Sequence, residues 1–97
     1  MNAQVGNERR VPVRDSNIWL RQSGTENVAY DPKRETVHVM NATAVAIWVL
    51  CDGETEPREM IDAVIELTGL PYEVVREDVE RILKEFETAG IVTWNVA

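Results

Sequence analysis

The chain is poor in the residues that most protein chemistry requires. Across 97 positions it has one cysteine, Cys51, and one histidine, His38. A single cysteine excludes an intramolecular disulfide framework, and one His with one Cys cannot assemble a structural zinc site. No apolar run approaches the ~20 residues of a membrane span, and residues 1–12 carry charges where a signal peptide needs an apolar stretch. The expectation is a cytoplasmic protein with no membrane partner. Glycine-rich phosphate loops are also missing: Asp52-Gly53 and Thr68-Gly69 are isolated helix stops. No internal repeat or low-complexity segment is present.

Basic charge is scarce where it would matter for nucleic acid. Residues 1–40 hold six Lys/Arg against five Asp/Glu, whereas residues 41–97 hold four against twelve, giving the overall −7. Phosphate backbones reward Lys and Arg through counterion release, so this composition disfavours a nucleic-acid partner. At this length only one core can form, and 44% apolar residues with 28% charged ones suffice for it.

Residues 1–15 show no sustained period and read as a flexible arm, leaving residues 16–97 as the folded domain. Ile18 and Leu20 alternate with Trp19 and Arg21. Ser23-Gly24-Thr25-Glu26 supplies a turn and Val28-Ala29-Tyr30 a second strand. Asp31-Pro32 opens another turn, and Thr36-Val37-His38-Val39-Met40 alternates again. Asn41 is a good N-cap for the apolar run 42–51, whose alanines and terminal Gly53 favour helix over strand. Thr55 is expected to cap a second helix, with the stripe Met60, Ile61, Val64, Ile65. Pro71 opens a third, with Val75, Val79, Ile82, Leu83 and Phe86 on its buried face. Acid-first pairs Glu77 to Arg81 and Glu80 to Lys84 suit an exposed helix side. Ile91 to Trp94 reads as a closing strand or apolar clasp. The predicted fold is α+β, a winged helix-turn-helix-like arrangement of a three-stranded antiparallel sheet followed by three helices.

No catalytic residue is expected. His38 has no Ser or Cys nearby in sequence to activate, and Cys51 ends an apolar helix with no base close enough in sequence to lower its pKa. A helix-turn-helix suggests DNA, but residues 71–88 carry six acids against three bases, a net −3 that repels phosphates. The remaining feature is the strand Thr36–Met40. As the last strand before the helices it is a candidate sheet edge, able to template an incoming extended peptide unless another segment covers it.

The ordered series Tyr30-Asp31-Pro32, Val37 to Ala44 (VHVMNATA), Ile47-Trp48, Leu50-Cys51-Asp52-Gly53, Asp78-Val79 and Ala89-Gly90-Ile91 resembles the PqqD-like family, the recognition elements (RREs) for ribosomally made, post-translationally modified peptides (RiPPs). The likeness spans residues 17–94, and Met40 stands where Leu is commoner before the Asn. It implies a non-catalytic peptide chaperone without cofactor. Such a domain binds the leader of a precursor peptide by β-strand addition and presents it to a modifying enzyme, such as a radical S-adenosylmethionine enzyme or a lasso-pathway leader protease. Carried onto this sequence, it implies a peptide-binding set of Thr36, Val37, His38, Val39 and Met40 on the strand and Val75, Asp78, Val79 and Ile82 on the third helix. The alternatives are an acidic winged-helix transcription or protein-interaction module and, more remotely, an enzyme using Cys51.

Overall fold

Asn41 marks the change from sheet to helix. Its backbone is extended, and its side-chain Oδ1 accepts from the Ala44 N–H at 2.8 Å, satisfying one of the donors a helix start leaves orphaned. The computed structural model describes residues 9–96. In chain order it contains β1 (Arg10–Arg14), β2 (Trp19–Ser23), β3 (Glu26–Asp31), β4 (Thr36–Met40), α1 (Ala42–Leu50), α2 (Pro57–Thr68), α3 (Tyr72–Thr88) and β5 (Val92–Val96). The α+β architecture with a three-stranded antiparallel sheet and three helices is as the sequence predicts.

That sheet runs β2-β3-β4, with Ser23 opposite Glu26 around a two-residue turn and Ala29 opposite both Leu20 and His38. Gly24, at φ +63°, supplies the left-handed conformation that the tight turn requires. The second turn is held by the Asp31 carboxylate, whose Oδ1 accepts from the Lys33 and Arg34 amides at 3.0 and 3.2 Å.

A second, two-stranded sheet joins the chain ends: β1 pairs antiparallel with β5, Pro12 facing Trp94. The sequence reading placed residues 10–14 in a flexible arm, and here the structure differs. β1 is tied on both sides. Beyond β5, the Arg14 amide donates to the Cys51 carbonyl at 2.9 Å and the Gly53 amide to the Pro12 carbonyl at 3.0 Å. The Arg14 guanidinium also reaches the Val49 and Cys51 carbonyls at 2.9 and 3.2 Å. It places a cation at the C-terminal end of α1, which has no basic residue in its own last turn. The rest of the expected arm, residues 1–8, lies outside the described residues.

Two further details depart from the sequence reading. The N-cap of α2 is Glu56, not Thr55: the Glu56 amide donates to Glu59 Oε1 at 2.9 Å, while the Thr55 hydroxyl is taken by Asp52 Oδ2 at 3.0 Å. On α3 the expected pairs Glu77–Arg81 and Glu80–Lys84 are replaced. Arg76 bridges Glu73 and Glu80, Arg81 binds Asp78 three residues behind it, and Lys84 lies 3.9 Å from Glu87 three residues ahead. Such exposed pairs add ~0.2–1 kcal/mol each, so the exchange barely alters stability.

The core lies between the three helices and the inner face of the larger sheet. Ile47, Met60, Val64, Val75 and Val79 are enclosed, and Trp48 meets Phe86 edge to face with centroids 5.5 Å apart. Each fully buried aliphatic side chain stabilises by ~1.5–3 kcal/mol relative to exposure, so these contacts fix α3 against α1 and set its distance from β4.

Candidate functional site

β4 is an edge strand. β3 occupies one side of it, and among the described residues no strand pairs with the other, so a row of backbone N–H and C=O groups remains without sheet partners there. β2 is the opposite edge, but all five of its residues are exposed. What sets β4 apart is its neighbour. Between it and the second half of α3 runs a groove of about 210 Å³, floored by buried Met40, Ala44, Ile82, Phe86 and Ile91 and rimmed by His38, Val39, Glu85 and Ala89. A larger hollow of about 310 Å³ beside β5, around Leu83 and Trp94, is bordered by the charged Glu80, Lys84 and Glu87 and touches no residue of β4. Another lies where β1 meets Asp52, but there Cys51 and Gly53 already occupy the backbone of β1.

The strict alternation of β4 distributes its side chains. Val37 and Val39, 57% and 64% exposed, project from the outer face of the sheet, where Val37 neighbours Tyr30 and, one strand further, Trp19. His38 and Met40 take the inner face toward α3. His38 is half-buried, with Nε2 3.3 Å from the Thr36 hydroxyl, and Met40 is buried.

On α3 the residues read from the sequence separate into three positions. Ile82 lines the groove. Val75 and Val79 are fully enclosed in the core and offer no surface to a ligand; they hold the helix in place from beneath. Asp78 lies outside the groove lining, one turn before Ile82, its carboxylate 3.0 Å from Arg81 Nη1. The sequence reading missed Ala44, Glu85, Phe86, Ala89 and Ile91 as lining residues. Three of them carry a signal: 82, 85, 86 and 89 follow the i, i+3, i+4, i+7 spacing of one helix stripe.

The cysteine lies outside the groove lining. Cys51 is enclosed at the end of α1, and burial pushes its thiol up to about 12, with Arg14 only partly opposing. Among the described residues no cluster of three or more His, Cys, Asp or Glu could hold a metal ion, and no helix is long and apolar enough to cross a membrane.

Residues 26–92 match the profile of the family described as Coenzyme PQQ synthesis protein D (PqqD). The chain belongs to the PqqD family. The matched segment contains both β4 and α3, the two walls of the groove. A solved structure of TbiB1 in complex with the TbiA(beta) leader peptide superposes with a TM-score of 0.70 at 18% identity, covering 82% of this chain and 93% of that one, so the winged-helix-like fold is shared. No curated protein matches this PqqD-family chain.

Proposed function

We propose that this PqqD-family domain binds the leader segment of a ribosomally synthesised precursor peptide, and that the leader adds as a fourth strand on β4 with its alternate side chains in the groove against α3. The observation that carries this reading is the coincidence, among the described residues, of an edge without a strand partner and a groove lined by His38, Val39 and Met40 of that same edge. Main-chain hydrogen bonds to Thr36–Met40 supply affinity, and the groove at Ile82 supplies selection. The leader bound in the TbiB1 structure supports the reading by analogy of fold.

The domain does no chemistry itself in this proposal. It holds the leader so that the attached core peptide meets a modifying enzyme, such as a radical S-adenosylmethionine enzyme or a lasso-pathway leader protease, at an effective concentration set by the linker. One buried, un-ionised thiol makes no demand for an oxidising compartment and suits the cytoplasm. The acidic transcription-module alternative is disfavoured by the net −3 of residues 71–88, which faces any approaching phosphate. The test is an amide-resolved NMR titration with the leader of the precursor encoded beside this protein. Saturable shifts concentrated in β4 and the second half of α3 are expected; saturable binding that leaves β4 unperturbed overturns the proposal.

A further inference from the structure

We infer that the groove selects a leader segment with one bulky apolar side chain and a lysine or arginine two residues away, the cation being held by Glu85. This rests on strand addition at β4 and goes beyond it by naming the class of sequence that is read.

The apolar half follows from size. A cavity of about 150 Å³ holds a benzene ring. The 210 Å³ between β4 and α3 therefore takes one phenyl- or isobutyl-sized group on a floor of Met40, Ile82 and Phe86. Phe86 is itself fixed by Trp48, so the floor is rigid.

The cationic half follows from three features that converge on one end of α3. Glu85 lies on the groove's rim, one residue before Phe86, with its side chain 66% exposed. Its ion pair with Arg81 is long, 3.6 Å to Nε, because Arg81 gives its close contact of 3.0 Å to Asp78. The last turn of α3 has no basic residue, so the negative end of the helix dipole adds to the Glu85 charge. Arg34 reaches the nearby Gly90, but its Nη1 is bound to Asp31 at 2.9 Å. The facing wall contributes His38 and Val39, which carry no carboxylate to compete. In an added strand, residues i and i+2 share a face ~6.6 Å apart, so a side chain two positions from the anchor lies within reach of the rim.

The test is panning of a displayed random-peptide library on the full chain, followed by anisotropy with labelled peptides that keep the selected anchor and vary position i+2 among Lys, Ser and Glu. Expected is a Lys-over-Glu preference of about fivefold to tenfold at physiological salt, fading at 1 M, where the Debye length falls to ~3 Å. Glu85→Gln should abolish the preference and Glu85→Lys should invert it; Glu85 is exposed, so both variants should fold. If the Lys and Glu peptides bind equally while β4 amides still shift, the charge rule fails and strand addition survives. If selected peptides bind without shifting β4 amides, or none is selected, both fail.

Discussion

The Arg34 guanidinium lies across the backbone of Gly90: a methyl group at Gly90 would sit 2.7 Å from Nη2 and 3.1 Å from Cζ. The contact holds the turn before β4 against the end of α3, beside the groove residues Ala89 and Ile91. Gly90 has two reasons to be glycine, because its φ of +77° is left-handed as well. Gly90→Ala should therefore destabilise the domain by about 1–3 kcal/mol, read as a lower urea midpoint. Arg34→Ala also loses the ion pair to Asp31, so the steric part is read from a double-mutant cycle: the two substitutions together should cost less than the sum of their separate costs. If the costs simply add, the contact is not the cause.

Arg34 is held in turn by Asp31, which is fully enclosed. Burial pushes the Asp31 carboxyl up, but the Arg34 side chain and the amides of Arg34 and Lys33 outweigh it and leave the pKa below the ordinary aspartate value. A carboxyl depressed in the native state contributes stability that is present above its unfolded pKa, ~3.9, and lost as pH falls through the lower native value. Asp31→Asn should lower the unfolding midpoint at pH 7, and the gap between variant and parent should close as pH falls below ~4. A gap that persists unchanged well below that pH would show that the charge contributes nothing.

The helices and β4 were legible in the sequence because their signals are local: the Asn41 cap, the Gly69 stop and the 60, 61, 64, 65 stripe each lie within a few residues. β1 was not. Arg-Val-Pro-Val-Arg contains a proline that argues against a strand, and its partner β5 lies some eighty residues away, so nothing local announces the pairing. Alternation correctly put Val37 and Val39 on one face of β4 but could not say which face is buried. That depends on where α3 packs, and the structure turns His38 and Met40 inward. For the same reason Ile82 was recognised as a groove residue while Glu85 and Ala89 were not: a rim residue is defined by what stands across from it.

The division of α3 into core and groove predicts two contrasting variants. Val79→Ala removes two methyl groups from an enclosed site and should cost about 2 kcal/mol of stability, while leaving leader affinity of the folded protein unchanged. Ala89→Leu adds bulk at the half-buried rim, so it should leave the melting temperature within a few degrees. Leader binding should weaken at least tenfold, or about 1.4 kcal/mol, by calorimetry. Were Val79→Ala to reduce affinity more than Ala89→Leu, the binding face of the helix would have to be turned inward.

Cys51 provides the last separation, between a chemical role and a packing role. With its pKa raised to about 12 by burial, on the order of 10⁻⁵ of the thiol is ionised at pH 7, and the sulfur is closed off by the surrounding core. Alkylation by iodoacetamide should be negligible in the native protein and should appear across the urea unfolding transition, tracking the open population. Cys51→Ala should lose about 1 kcal/mol from the vacated volume, remain folded and bind the leader as the parent does. Rapid alkylation in the native state, with loss of function on substitution, would instead require a nucleophile at the end of α1. The neighbouring groups leave little room for one: Arg14, the nearest cation, spends its guanidinium on the Val49 and Cys51 carbonyls.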